Sequence, residues 1–261
     1  MNNPIAGAFD HGKAFIAFIT CGDPDLQTTA ACVRAAVKGG ADLIELGIPF
    51  SDPTAEGPVI QAANARALAG GVTTDRIFAL AEDLRRDVTV PMVFMTYANV
   101  VYSYGTERFC DRCAQAGING IILPDVPYEE KEEFAPACRE RGLSFISLIA
   151  PTSADRVSMI AREAEGFLYI VSSMGVTGER SEITTDIGAM VRLVRESTSI
   201  PCAVGFGIST PEQAGKMAAL SDGAIVGSAI VRLIAENGSN APQAVYDYVC
   251  AMKLGMGAGP G

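Results

Sequence analysis

Leu43-Ile44-Glu45-Leu46-Gly47-Ile48-Pro49-Phe50-Ser51-Asp52-Pro53-Thr54-Ala55-Glu56-Gly57-Pro58 decides how this chain is read. It opens as a short apolar strand and breaks into a proline-rich loop. Glu45 sits inside the apolar run, and Asp52 and Glu56 follow on the loop. A buried acid is costly unless it is paired or used, so Glu45 asks for a chemical explanation. Side chains alternate along a strand. Leu43, Glu45 and Gly47 therefore share one face, and Ile44, Leu46 and Ile48 the other. The wholly apolar set is expected to face covering helices, which turns Glu45 to the opposite side.

Working outward, similar apolar runs alternate with helical patterns along the whole chain. Strands are expected at 15–20, 43–47, 90–95, 120–123, 144–149, 167–171, 201–204 and 223–226. Helices are expected at 25–38, 59–68, 74–86, 106–116, 128–141, from Thr152-Ser153 to Glu163, 185–197, from Pro211, after Gly227-Ser228, and at 242–253. Strand followed by helix, eight times over, predicts a parallel sheet closed into a (β/α)8 barrel with short extra helices. A doubly wound open sheet is the competing architecture. It usually carries Gly-x-Gly-x-x-Gly after the first strand, and Cys21-Gly22-Asp23-Pro24 is not that. No internal linker breaks the pattern, so one domain over 1–261 is expected.

The chain has 261 residues, 49% hydrophobic and 19% charged, which supplies a sizeable core. Its net charge of −10 argues against nucleic-acid and anionic-membrane partners. No apolar run reaches the about 18 residues of a membrane helix, and residues 1–13 lack a signal-peptide pattern. A cytoplasmic protein is expected. Seven scattered cysteines fit reduced thiols. Cys110-x-x-Cys113 lies in a helical pattern without a second pair or a nearby histidine, and no metal site is expected. The single histidine, His11, precedes the first strand.

Functional groups of a barrel gather at the C-terminal ends of its strands. Glu45 is there. Walled by aliphatic side chains, it is expected to have a raised pKa and to give and take a proton near neutral pH. The alternative is a structural ion pair with a distant base, since none lies between Lys38 and Arg66. Glu56 reads as a second site acid or a solvated loop acid, and Asp52 as a site acid or a turn residue. Gly205-Phe206-Gly207 and Gly227-Ser228 follow predicted strands seven and eight, where barrels bind phosphate through backbone amides and a helix start. Simple turns are the alternative. The loop 172–181, with Gly175 and Gly178, suits a lid over the mouth or a surface insertion. Phe18, Met95, Tyr97, Tyr169 and Phe206 lie at or just past strand ends and either wall a flat apolar substrate or fill the barrel.

Taken together, these motifs resemble the alpha subunit family of tryptophan synthase over nearly the whole chain. The residues that carry the resemblance are 45–53, Gly57-Pro58 with Ile60-Gln61, Tyr97-Ala98-Asn99, Asp125-Val126-Pro127, 175–178, 205–212 and 227–231. The resemblance implies retro-aldol cleavage of indole-3-glycerol phosphate to indole and glyceraldehyde 3-phosphate, without a cofactor. It implies proton shuttling by Glu45 and a second carboxylate at Glu56, where many members have aspartate. It further implies that Phe18, Met95, Tyr97, Leu148 and Phe206 line an indole pocket and that Tyr169 packs beside the substrate near Glu45. Gly178, Gly207, Gly227 and Ser228 would hold phosphate, and Thr177 would close onto the Glu56 loop. Asp52 would face a pyridoxal-phosphate-containing beta subunit in an alpha2beta2 heterotetramer. A non-catalytic regulatory subunit and an isomerase on a similar phosphate-binding barrel are the competing functions.

Overall fold

The computed structural model describes residues 4–171, 186–205 and 207–257. Nine parallel strands form one sheet: β1 Ala14–Thr20, β2 Leu43–Gly47, β3 Met92–Met95, β4 Gly120–Ile122, β5 Ser144–Phe145, β6 Ser147–Ile149, β7 Leu168–Val171, β8 Cys202–Gly205 and β9 Gly223–Val226. The order runs β5-β4-β3-β2-β1-β9-β8-β7-β6. Its two ends, β5 and β6, are halves of the single strand expected at 144–149, separated by Ile146. The first half pairs with β4 and the second with β7, so this one stretch closes the ring. Eight βα units thus make the expected barrel, with predicted strands seven and eight now β8 and β9.

The face assignment holds. Ile44, Leu46 and Ile48 pack in the layer between sheet and helices. Leu43 packs in a second cluster with Ile16, Phe18, Val93, Met95, Ile122, Tyr169, Ala203 and Ile225, which fills the barrel. A short helix, Pro4–Gly7, supports this interior from below. Its Ile5 is fully buried, and the Ile5 Cδ1 atom would touch a Cβ placed on Gly120 or Gly166.

Local sequence explains most helix ends. Asp25 caps Leu26–Lys38 by accepting the Thr28 N–H at 2.7 Å. Thr210 and Gln213 form a capping box on Pro211–Leu220, with proline in the first turn. Three expectations differ from the structure. The helix expected at 128–141 is a 3-10 turn, Tyr128–Glu133, followed by a helix, Ala135–Glu140. Pro136 lacks an N–H and its ring clashes with the preceding turn, so one helix cannot run through it. β3 starts at Met92 rather than Val90 because Pro91 cannot donate to the ladder. An unpredicted helix, Ala98–Tyr104, follows β3, its first amide held by both Asp125 carboxylate oxygens at 3.1 Å.

Candidate active site

Glu45 lies on β2, in register with Phe18 on β1 and Val93 on β3. It is 1% exposed, and neither carboxylate oxygen has a hydrogen-bond partner among the described residues. Among the described residues no base folds in to pair with it. Burial pushes its carboxyl up to about 8, and the charge of Glu56 pushes the same way.

The loop after β2 turns back over the mouth and buries Glu56, with 5% of its surface exposed. Several contacts hold it there. Asn64 Nδ2 donates to Glu56 Oε2 at 2.6 Å, and Gln61 Nε2 donates to the Glu56 carbonyl at 2.7 Å. The Ala55 N–H donates to the Tyr97 hydroxyl at 3.1 Å, and Phe50 stacks on the Tyr97 ring at 5.2 Å between centroids. Burial raises the Glu56 carboxyl to about 7, and the Asn64 bond opposes that rise. Asn64 and Gln61 ride on the helix Pro58–Ala69, which Arg66 anchors through two 2.7 Å bonds to buried Asp23 at the end of β1. The solvated-loop reading of Glu56 is therefore set aside. Asp52 stands apart from the acids: it is exposed on the outer side of the loop, accepting from Ser51 Oγ at 2.5 Å.

Two aromatic rings are seated on glycines. A Cβ on Gly47 would lie 2.6 Å from Phe18 Cζ, so the Phe18 ring rises across the bare end of β2. The same ring lies 3.3 Å from where a Cβ of Gly227 would be, next to the start of the helix Ser228–Asn237. A Cβ on Gly205 would strike the Tyr169 hydroxyl at 2.5 Å. Tyr169 is buried, and burial together with the Glu45 charge holds its hydroxyl well above the usual phenol range. Met95 pairs in register with Gly47 and is 4% exposed. Gly207 has φ +81°, a conformation that favours glycine. Gly227 and Ser228 are half-buried at a helix start, where the first amides have no partners within the helix. Leu148, half-buried on β6, lines a 410 Å³ cavity with Ala55, Leu123, Phe145, Ile146 and Val171. Glu45 and Glu56 do not line this cavity, which lies beside the mouth under the loops after β4 and β6. Thr177, Gly178 and Phe206, with the expected lid at 172–181, fall outside the described residues.

The structure thus brings Glu45, Glu56, Phe18, Met95, Tyr97, Tyr169 and Gly227 to one end of the barrel. Sequence reasoning missed Asn64. Its signal was a lone amide within the apolar stripe Ile60, Ala63 and Ala67 of one helix. His11 is exposed before β1, and Cys110 and Cys113 are buried away from the mouth, with Cys110 Sγ 3.8 Å from Cys138 Sγ.

The chain was compared with known proteins. The family model described as tryptophan synthase alpha chain matches residues 8–257. The tryptophan synthase alpha chain of Lacticaseibacillus casei is 47% identical over 254 residues, covering 97% of this chain and 96% of that one. The crystal structure of tryptophan synthase subunit alpha from Legionella pneumophila str. Paris superposes with a TM-score of 0.89 at 34% identity, covering 98% of this chain and 99% of that one. A chain of the tryptophan synthase α2β2 complex from Pyrococcus furiosus, studied for its mutual activation, gives a TM-score of 0.85 at 32% identity over 93% of this chain and 98% of that one.

Proposed function

The chain belongs to the tryptophan synthase alpha chain family, and from that premise we propose how its own residues perform the family's reaction. That reaction is the retro-aldol cleavage of indole-3-glycerol phosphate to indole and glyceraldehyde 3-phosphate in tryptophan biosynthesis. Two protons move. Indole C3 gains one, and the hydroxyl on the adjoining side-chain carbon loses one. The electrons of the broken carbon–carbon bond return to the ring, and the hydroxyl-bearing carbon becomes the aldehyde.

Glu45 serves both transfers. With its carboxyl at about 8 it is largely protonated near neutral pH, so it gives a proton at C3 and then takes one from the hydroxyl. Glu56 accepts from the indole N–H as positive charge develops on the ring. Its lower value, about 7, means that it ionises before Glu45. Two neighbouring carboxylates resist ionising together, which favours one neutral acid beside one charged acceptor. Phe18, Met95, Tyr97, Leu148 and Phe206 line the indole pocket and Tyr169 packs beside the substrate near Glu45, with Thr177 closing onto the Glu56 loop. Gly178, Gly207, Gly227 and Ser228 hold the phosphate, and the amide-rich start of Ser228–Asn237 supports that assignment.

The exposed Asp52 edge of the loop faces a beta subunit, which receives the indole within an α2β2 heterotetramer. Pyridoxal phosphate belongs to that partner, and this chain works without a cofactor. It works as one barrel domain in the cytoplasm, with no nucleic-acid or membrane partner. No helix among the described residues is long and apolar enough to cross a membrane.

The buried, unpartnered carboxylate of Glu45 opposite Glu56 carries this reading. With its beta partner the chain is expected to release indole from indole-3-glycerol phosphate. Glu45→Gln is expected to lower that rate by about 100-fold or more while still binding a phosphate-bearing substrate analogue. Normal turnover by Glu45→Gln would sink the assignment.

A further inference from the structure

The buried side-chain oxygens left without a partner lie together on β1 and β2. Among the described residues, the buried side-chain oxygens without a hydrogen-bond partner are both oxygens of Glu45 and Oγ1 of Thr20. Thr20 ends β1 and is 1% exposed. It has the parity of Ile16 and Phe18, which fill the barrel, whereas Phe15, Ala17 and Ile19 face the helices. Its hydroxyl is therefore turned to the interior side. In register, Thr20 pairs with Gly47 and Gly47 with Met95, two residues along the strands from Phe18 and Glu45 and on the same face. Gly47 has no side chain, so at this level the space beside the Thr20 hydroxyl is bounded by the Phe18 ring rather than by a β2 side chain. A buried hydroxyl without a partner costs about 1–3 kcal/mol, and valine would fit the same β-branched shape without that cost.

We propose that the Thr20 hydroxyl is a substrate-positioning group that donates a hydrogen bond to the glycerol hydroxyl adjoining indole C3, the oxygen that becomes the aldehyde. This rests on the reading of Glu45 given above. The substrate oxygen then accepts from Thr20 while its own proton passes to Glu45, and the bond persists to the aldehyde oxygen of the product. Phe18, lying between Gly47 and Gly227, spaces this contact from the phosphate turn.

The test uses the full chain with its beta partner, the substrate, and indole-3-propanol phosphate, which lacks both glycerol hydroxyls. Thr20→Val is expected to lower kcat/KM for the substrate roughly tenfold and to leave the affinity for the propanol phosphate within about twofold. Thr20→Ser is expected to restore most of the cleavage. Equal weakening of both ligands would assign the hydroxyl to holding the protein and overturn the proposal, as would unchanged cleavage by Thr20→Val. A wild-type chain that releases no indole would overturn the underlying reading and this role with it, whereas an active wild type with an indifferent Thr20→Val overturns this role alone.

Discussion

Glu45 shows how burial converts an ordinary acid into a reagent, and the conversion has a cost in stability. Its carboxyl moves from 4.5 to about 8 because the charged form is desolvated. A carboxyl whose pKa is raised on folding holds its proton in the folded state while the unfolded chain releases it. Stability from this group is therefore fully present below the unfolded value and is lost as pH climbs through the folded one. Relative to Glu45→Gln, the wild type is expected to lose stability on the order of 3 kcal/mol between about pH 5 and pH 8. Urea unfolding of both proteins across that range checks this, and parallel curves would mean that Glu45 ionises normally. Glu56 occupies a milder version of the same environment, because Asn64 supplies one bond to its carboxylate. The helix Pro58–Ala69 thus acts on the chemistry at second hand: through Asn64 it opposes the rise that burial imposes on the Glu56 carboxyl.

At the scale of elements, the site depends on where strand ends lack side chains. Gly47 and Gly205 are glycines because Phe18 and the Tyr169 hydroxyl occupy the space of their Cβ atoms. Gly47→Ala is expected to push the Phe18 ring off both Gly47 and Gly227. Overpacking of this kind typically costs about 1–3 kcal/mol, and here it also disturbs the spacing between the acid and the phosphate turn. The expected outcome is a rise in KM of about tenfold with unchanged far-UV circular dichroism. Gly7→Ala, with open space around it, should change neither. The strands and the inward turn of Glu45 were legible because each rests on local pattern, a short β-rich run and a period of two. The helix Ala98–Tyr104 was not, since its cap is Asp125, a residue of the next unit. The same holds for the seating of Phe18, and for the burial of Glu56 by Tyr97 and Asn64. Apart from Asn64, eight residues from Glu56 and in the next element, these are contacts across tens of residues that no window of sequence displays. The resemblance located Glu56, while only packing explains why an acid on a loop is buried.

At the scale of the whole molecule, the barrel has a working end and a supporting end, and the two are separable. Closure is achieved within one stretch, Ser144 to Ile149, whose halves reach in opposite directions round the ring. Below it, Ile5 fills the floor where Gly120 and Gly166 leave room. The C-terminal helix Ala241–Gly255 ties down the same end: Lys253 Nζ meets Asp42 Oδ2 at 2.8 Å, and Asp42 also accepts the Phe15 N–H at 2.6 Å. None of these groups reaches the acids at the mouth. Ile5→Ala removes a fully buried side chain from a site bounded by rigid strands, where collapse is limited, and is expected to cost about 2–5 kcal/mol. The catalytic end is built from the opposite, C-terminal ends of the strands, where Phe18, Glu45, Met95 and Tyr169 lie, rather than from this floor. Indole release per folded molecule at low temperature should therefore match the wild type, while the denaturation midpoint falls. If turnover falls in proportion to stability, the floor and the mouth move together, and the barrel must be treated as a single mechanical unit instead of a scaffold with loops attached.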